Sequence, residues 1–256
     1  MASQRRRIIG LSTKMYFSLQ RTHDFTTSAL AALDTLPRDI LDKLDVFIIP
    51  DFISLQSTGT LLKDSSVWLG AQDTHWEDNG AFTGEVSPSV LREANVRIVE
   101  VGHAERRRIF GETDDITARK AAAVARNGMI PLVCIGEKTQ GGTDGISVAV
   151  SEVQVQVDAV LAAVGDEAEV VLAYEPVWAI GASQPAGEAH VLAVVDGIRN
   201  LESVKARKGV TRVVYGGSAG PGLYERLKSG VDGLFLGRFG HDPAQFVKTV
   251  REVAEA

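Results

Sequence analysis

The chain has 256 residues, 45% of them hydrophobic, and a formal charge of −6 at pH 7. That is ample apolar material for one sizeable core, and the negative balance argues against nucleic acid or an anionic membrane as the main partner. A single cysteine, Cys134, excludes an intramolecular disulfide framework and suits a reducing, cytoplasmic setting.

From the start, Arg5-Arg6-Arg7 leads into Ile8-Ile9 and then Gly10, without the apolar core of a secretory signal. No apolar stretch is read as reaching the roughly 18 residues of a membrane span. Eight short apolar runs follow, in order Arg7-Ile8-Ile9-Gly10-Leu11, Val46-Phe47-Ile48-Ile49, Val67-Trp68-Leu69-Gly70-Ala71 and Val96-Arg97-Ile98-Val99-Glu100-Val101, then Ile130-Pro131-Leu132-Val133-Cys134-Ile135, Val170-Val171-Leu172-Ala173, Val213-Val214-Tyr215 and Gly233-Leu234-Phe235-Leu236. Continuous rather than alternating apolar character suits strands buried on both faces of a parallel sheet. Helical patterns lie between them, over residues 25–36, 116–127, 148–164, 188–208 and 244–253. Ser87-Pro88 reads as an N-cap with proline at the first helical position, and Gly128 as a helix stop.

Eight strand–helix units in this length predict an α/β fold, a closed (β/α)₈ barrel, as a single domain over residues 1–256. The alternative, an open doubly wound sheet, loses ground because no Gly-x-Gly-x-x-Gly opens the first helix. In closed barrels the chemistry gathers just past the strand ends. Those positions hold Ser12-Thr13-Lys14, Gln72 to Trp76, Gly102-His103-Ala104-Glu105, Glu175, Gly216-Gly217-Ser218 and Gly237-Arg238.

Glu175 precedes Pro176, which disfavours the helical region and holds the acid extended at a strand end. Val177-Trp178-Ala179-Ile180 is apolar where a solvent loop should be polar, and Gly181 to Ala186 has the small residues and proline of a hinge. An apolar flap beside a carboxylate can exclude water and raise its basicity; the other reading is a buried strand end with a satisfied glutamate. His103 precedes residues able to start a helix, whose N-terminus favours a neutral imidazole; a core histidine is the alternative. By themselves Lys14 reads as a solvated lysine and Gly216-Gly217 as a tight turn, and a surface arginine is the alternative for Arg238. Backbone N–H groups at such glycines can also cradle an anion. Cys134 and Glu137 read as structural. His23, His190 and His241 lack partners at ligand spacing, so no metal site is read.

Ala173-Tyr174-Glu175-Pro176-Val177-Trp178-Ala179-Ile180-Gly181 resembles the catalytic-base and lid segment of triosephosphate isomerases. Gly102-His103-Ala104-Glu105-Arg106-Arg107, Cys134-Ile135-Gly136-Glu137 and Tyr215-Gly216-Gly217-Ser218 match that family in the same order. The resemblance implies a TIM barrel that isomerises a phosphorylated small sugar through an enediol, without cofactor or metal. It implies Glu175 as the base, His103 as the hydrogen-bond donor, Lys14 as the neutralising cation, and Glu105 as the lysine's partner. Ser12, Gly181, Gly216, Gly217, Ser218, Gly237 and Arg238 would bind substrate and phosphate. The long segment from Gln72 to Ser87 matches the family's intersubunit loop and implies a homodimer, with Thr83 near the partner's Lys14.

The pattern also departs from the family. Asn-Trp-Lys becomes Ser12-Thr13-Lys14, His-Ser-Glu becomes His103-Ala104-Glu105, and Gly-Thr-Gly-Lys becomes Gly181-Ala182-Ser183-Gln184. Gly-Gly becomes Gly237-Arg238, and Thr74 to Asp78 replaces the usual loop start. Ser12, His75-Trp76 and Gly237-Arg238 resemble the branch acting on tetrulose phosphates in tetritol breakdown. The expected reaction is L-erythrulose 1-phosphate to D-erythrulose 4-phosphate; triose phosphate isomerisation and a catalytically silent sugar-phosphate-binding barrel are the alternatives.

Overall fold

The computed structural model describes residues 6–141, 145–181 and 185–256. In chain order these form β1 (Arg7–Ser12), α1 (Leu19–Leu33), α2 (Arg38–Leu41), β2 (Leu44–Ile49), α3 (Leu55–Leu62), β3 (Trp68–Ala71), α4 (Pro88–Glu93) and β4 (Ile98–Val101). Then come α5 (Ala104–Phe110), α6 (Asp114–Arg126), β5 (Ile130–Ile135), α7 (Gly145–Ala163), β6 (Val170–Tyr174), α8 (Glu188–Asn200) and α9 (Glu202–Lys205). The chain closes with β7 (Thr211–Gly217), α10 (Tyr224–Leu227), β8 (Gly233–Leu236) and α11 (Pro243–Glu255). Neighbouring strands are parallel, and β1 pairs with β8 (Ile8 with Gly233, Leu11 with Leu236), closing the expected (β/α)₈ barrel.

Both strand faces are apolar, for two different reasons. Ile8, Phe47, Ile98, Leu132, Val171 and Phe235 fill the inside of the barrel. Ile9, Val46, Val99, Val133, Leu172 and Val213 point outward under the helices. The two sets alternate along each strand, so the runs read as continuous in sequence while each face obeys the period of two.

Three expectations need correction. α1 begins at Leu19, not residue 25, because Ser18 caps it, its side chain accepting from the Arg21 N–H at 3.2 Å; the polar outer face of this turn hid its period. The helix expected over 188–208 breaks at Leu201, whose ψ of 136° is extended, and restarts as α9. α7 is 19 residues long and, by length and composition, apolar enough to cross a membrane. It carries Glu152 and Asp158, however, and Ala149, Val153, Val157 and Val160 are fully buried on its inner side, in the layer packed around the strands.

Charges occupy both ends of the barrel. At the N-terminal end Arg212 is 2% exposed, donates to Asp45 at 2.6 Å and pairs with Glu169; the Trp68 ring lies 5.8 Å from its guanidinium. Toward the opposite end Lys120 bridges Asp73 (2.8 Å) and Glu112 (2.6 Å), with Arg106 on Asp73 at 2.7 Å, tying α5 and α6 to the segment after β3. The base of that segment is held by the His75 N–H on the Val86 carbonyl (2.8 Å) and by Arg126 on the Trp76 carbonyl (2.6 Å). Residues 79–85 form an exposed tip, with Phe82 half-exposed and its ring 4.3 Å from that of His75.

Candidate active site

β1 ends at Ser12, and Lys14 follows with φ of +48°, a left-handed backbone that a lysine rarely adopts. The Gln72 side-chain amide holds it there, donating to the Lys14 carbonyl at 3.0 Å and to Thr13 Oγ1 at 3.3 Å. Lys14 Nζ donates to Glu105 Oε1 at 2.9 Å and stands 3.2 Å from His103 Nε2. Burial works to lower its pKa, but the Glu105 hydrogen bond and the charges of Glu175, Glu105 and Glu100 outweigh that and hold it above the ordinary lysine value.

His103 is the N-cap of α5, and its Nδ1 accepts from the Glu105 N–H at 3.1 Å. That bond places the neutral ring's proton on Nε2. Burial, then the nearby Lys14 charge, push the imidazole pKa down to about 4, so the ring is neutral at pH 7. Neutrality is as expected from the helix start, though desolvation and Lys14 are its main causes. Two donors, Nε2–H and the ammonium, therefore converge on the same space rather than bonding each other.

Glu175 supplies an acceptor there. Its N–H extends the β5–β6 pairing by donating to the Ile135 carbonyl at 2.8 Å, and its Oε2 lies 3.4 Å from His103 Nε2. Gly216 makes the room: any Cβ at that position would collide with the Glu175 carboxylate. The acid is 6% exposed, and burial raises its pKa to about 7, Lys14 opposing and Glu105 reinforcing the shift. A carboxylate that titrates near neutrality, beside a neutral donor, can take a proton from carbon and return it.

The lid is anchored at both ends. Glu137, fully buried, accepts from Trp178 Nε1 (2.9 Å) and the Tyr174 hydroxyl (3.2 Å), with His190 Nε2 at 2.9 Å. At the far end the Ala186 N–H donates to the Tyr215 hydroxyl at 3.1 Å. The substitutions noted at Ala182, Ser183 and Gln184 lie outside the described residues.

A pocket of about 100 Å³ opens at the C-terminal ends of the strands. Ser12, Lys14, His103, Glu105 and Glu175 line one side; Gly181, Gly217, Ser218, Gly237 and Arg238 line the other. Gly217 has φ of +102°, and the Arg238–His241 turn starts directly after Gly237. All the sequence-selected residues thus converge, Gly216 from behind the acid. Tyr16 and Phe239 also line the pocket and were missed; Ile180 of the apolar flap lines it as well, and Gln72, placed at the end of the third strand, serves through the Lys14 backbone. The most consequential miss is Glu100, whose signal was one acid inside the apolar β4 run.

Comparison with known proteins agrees with this geometry. The family model described as triosephosphate isomerase matches residues 7–253. An L-erythrulose-1-phosphate isomerase of Pectobacterium atrosepticum is 44% identical over 95% of this chain and 94% of its own. One of Rhizobium etli is 40% identical over 97% and 92%. A triosephosphate isomerase of Aquifex aeolicus is 36% identical over 96% and 98%. Fold and pocket define a sugar-phosphate isomerase. The chain belongs to the triosephosphate isomerase family.

Proposed function

We propose that this isomerase interconverts L-erythrulose 1-phosphate and D-erythrulose 4-phosphate through an enediol. The single observation that carries the reading is a carboxylate titrating near 7, Glu175, 3.4 Å from a neutral imidazole N–H in one pocket. Glu175 removes the proton from C3, next to the C2 carbonyl. His103 Nε2 gives its proton to the C2 oxygen as the enediol forms and takes back the proton of the C3 hydroxyl, Lys14 offsetting the negative charge on the oxygens, and Glu175 returns the carbon proton to C2, which leaves the carbonyl at C3. No electron leaves the substrate, so the sequence of steps balances without a redox partner. Glu105 keeps Lys14 in place. The N–H groups around Gly217, Ser218 and Gly237, with the Arg238 side chain, hold the phosphate; Gly181 and the lid exclude water. Ser12 leaves space for the extra hydroxymethyl group of a tetrulose.

The Pectobacterium atrosepticum and Rhizobium etli relatives are named for L-erythrulose 1-phosphate, and 44% identity over nearly the whole chain supports that substrate over a triose phosphate. Comparing kcat/KM for L-erythrulose 1-phosphate and glyceraldehyde 3-phosphate tests the choice, and a higher value for the triose reverses it. Solvent deuterium appearing at the proton-transfer carbon tests the chemistry; a silent binding barrel would incorporate none.

The whole chain is read as one domain, working in the cytoplasm without nucleic acid or membrane. The exposed tip at residues 79–85 is read as docking on a second copy. Deleting Gly80 to Gly84 should then give monomers with greatly reduced activity, and light scattering that finds a fully active monomeric wild type rules this out.

A further inference from the structure

β1 and β8 close the barrel, but their pairing ends at Leu11 with Leu236, leaving Ser12 beyond the seam. After β8 the chain turns away at Gly237 into the Arg238–His241 turn, where the Gly240 N–H donates to the Gly237 carbonyl at 2.9 Å. On β1 the Thr13 N–H donates to the Ile49 carbonyl of β2 at 2.9 Å. The Ser12 carbonyl belongs to the same trans peptide, so it points the other way, toward the β8 side. His241 takes the place a further β8 residue would fill, its Nε2 lying 2.9 Å from that carbonyl oxygen. A carbonyl only accepts, so Nε2 carries the proton and Nδ1 of the neutral ring is bare. Gly240 lets the turn fold in this far: a Cβ there would stand 2.9 Å from Leu236 Cβ and 3.5 Å from Leu11 Cβ.

The imidazole is also held by its faces and edges. Tyr16 and Phe17, from the segment joining β1 to α1, meet it edge-on at centroid distances of 5.7 and 4.7 Å. Phe17 in turn meets the buried Phe25 of α1 at 5.5 Å, and Phe25 meets the buried Phe246 of α11 at 6.1 Å. This aromatic row runs from the pocket mouth into the helical layer and sets the plane of the ring. Burial lowers the imidazole pKa, the Ser12 hydrogen bond opposes that, and the charges of Arg21, Lys14 and Arg238 lower it further, so the ring is neutral at pH 7.

The turn and the end of β1 supply opposite walls of the pocket, Gly237, Arg238 and Phe239 on one side and Ser12 and Lys14 on the other. β2 and Gln72 hold the Ser12–Lys14 stretch from one flank, and His241 holds it from the other. We propose that His241 is a positioning residue for the isomerisation, which by donating to the Ser12 carbonyl locks the Arg238–His241 turn to the end of β1 and so sets the distance between the phosphate site and Lys14. The assignment rests on the isomerase reading above. A sugar phosphate spans both walls, its phosphate on the turn and its reacting carbons beside Lys14. A slack seam therefore misplaces the carbons while the phosphate is still held, and such misplacement falls on the reaction step as well as on binding. Inorganic phosphate needs one wall only and is indifferent to the seam.

The test compares wild type, His241→Leu and His241→Gln for kcat and KM on L-erythrulose 1-phosphate, with inorganic phosphate as a competitive inhibitor. Leu fills the aromatic slot without a donor, whereas the Gln amide returns an N–H to the Nε2 position. In His241→Leu, kcat/KM should fall about three- to tenfold, as expected for one lost hydrogen bond, with kcat carrying most of the loss. The inhibition constant of phosphate should stay at its wild-type value, and His241→Gln should recover most of the kcat. Unchanged kcat in folded His241→Leu overturns the proposal. So does an equal loss for phosphate and sugar phosphate, which would make His241 a support of the phosphate turn alone, and so does a kcat that Gln fails to recover, which would assign the effect to ring packing. Nitrogen NMR of the unliganded wild type gives a readout that needs neither variant nor substrate. The Nε2–H tautomer of His241 is expected at pH 7, and an Nδ1–H ring refutes the tie. Turnover of neither sugar phosphate by the wild type refutes only the reaction assigned above, and the tautomer then still decides the tie.

Discussion

The N-terminal end of the barrel and the pocket at its C-terminal end handle buried charge in opposite ways. At the N-terminal end Arg212 meets Asp45 and Glu169, so a buried cation has carboxylates to match it. At the C-terminal end Glu100, Glu105 and Glu175 surround one lysine, and the two most buried acids have their pKa values pushed up to about 8 and 7. Paired charge holds the structure; underpaired charge stores a protonation state for use. Burial alone does not tell the two apart, since Arg212 and Glu100 are 2% and 3% exposed. What separates them is whether opposite charge is present in kind.

The sharpest way to break that contrast is Glu175→Gln, which keeps shape but cannot accept a proton. Turnover should fall by about 10²- to 10⁴-fold, the usual worth of a general base, with thermal stability undiminished. Near-normal turnover in the folded variant removes the catalytic end from the comparison.

Arg212→Met should do the reverse. It leaves Glu169 without its cation and Asp45 with only the half-exposed Arg6, and should cost up to about 3 kcal/mol of stability, while KM of the folded protein hardly changes. Denaturant unfolding measures this, and an unaltered midpoint would show the N-terminal pairing to be dispensable.

pH sharpens the contrast next. Glu175 must be ionised to act, so kcat/KM should fall as pH drops through about 7. Stability has the opposite sign. Both acids keep their protons in the folded state after the unfolded chain loses them near 4.5, so their contribution to stability declines as pH rises from there toward 8. Glu100→Gln removes one such group. It should melt higher than wild type at pH 8, and the gap should close as pH falls toward 4.5; a constant gap would contradict the raised value.

The smallest effect concerns Arg238, exposed at the pocket rim. Arg238→Gly keeps the backbone donor and removes only the guanidinium. KM should rise about three- to tenfold, a charge-assisted contact discounted for solvent. An unchanged KM places the side chain outside the substrate site.

By itself the sequence determined the barrel and the identities at its mouth. Eight apolar runs buried on both faces leave few topologies, and the residues just past them, Lys14, His103, Glu175 and Gly216 to Ser218, are where a parallel barrel presents side chains. Local order also placed Ser87 as a cap and His103 ahead of a helix, because capping acts within one turn of chain. Tertiary structure decided everything that depends on residues distant in sequence. Gln72 holds the strained Lys14 backbone across 58 positions, and Glu137 gathers Trp178, Tyr174 and His190 beneath the lid. Glu100 was legible only as an anomaly in an apolar strand. The charges that raise its pKa act on it because closure of the barrel brings β1, β4 and the end of β6 into one desolvated space, where charges that water would screen act on one another.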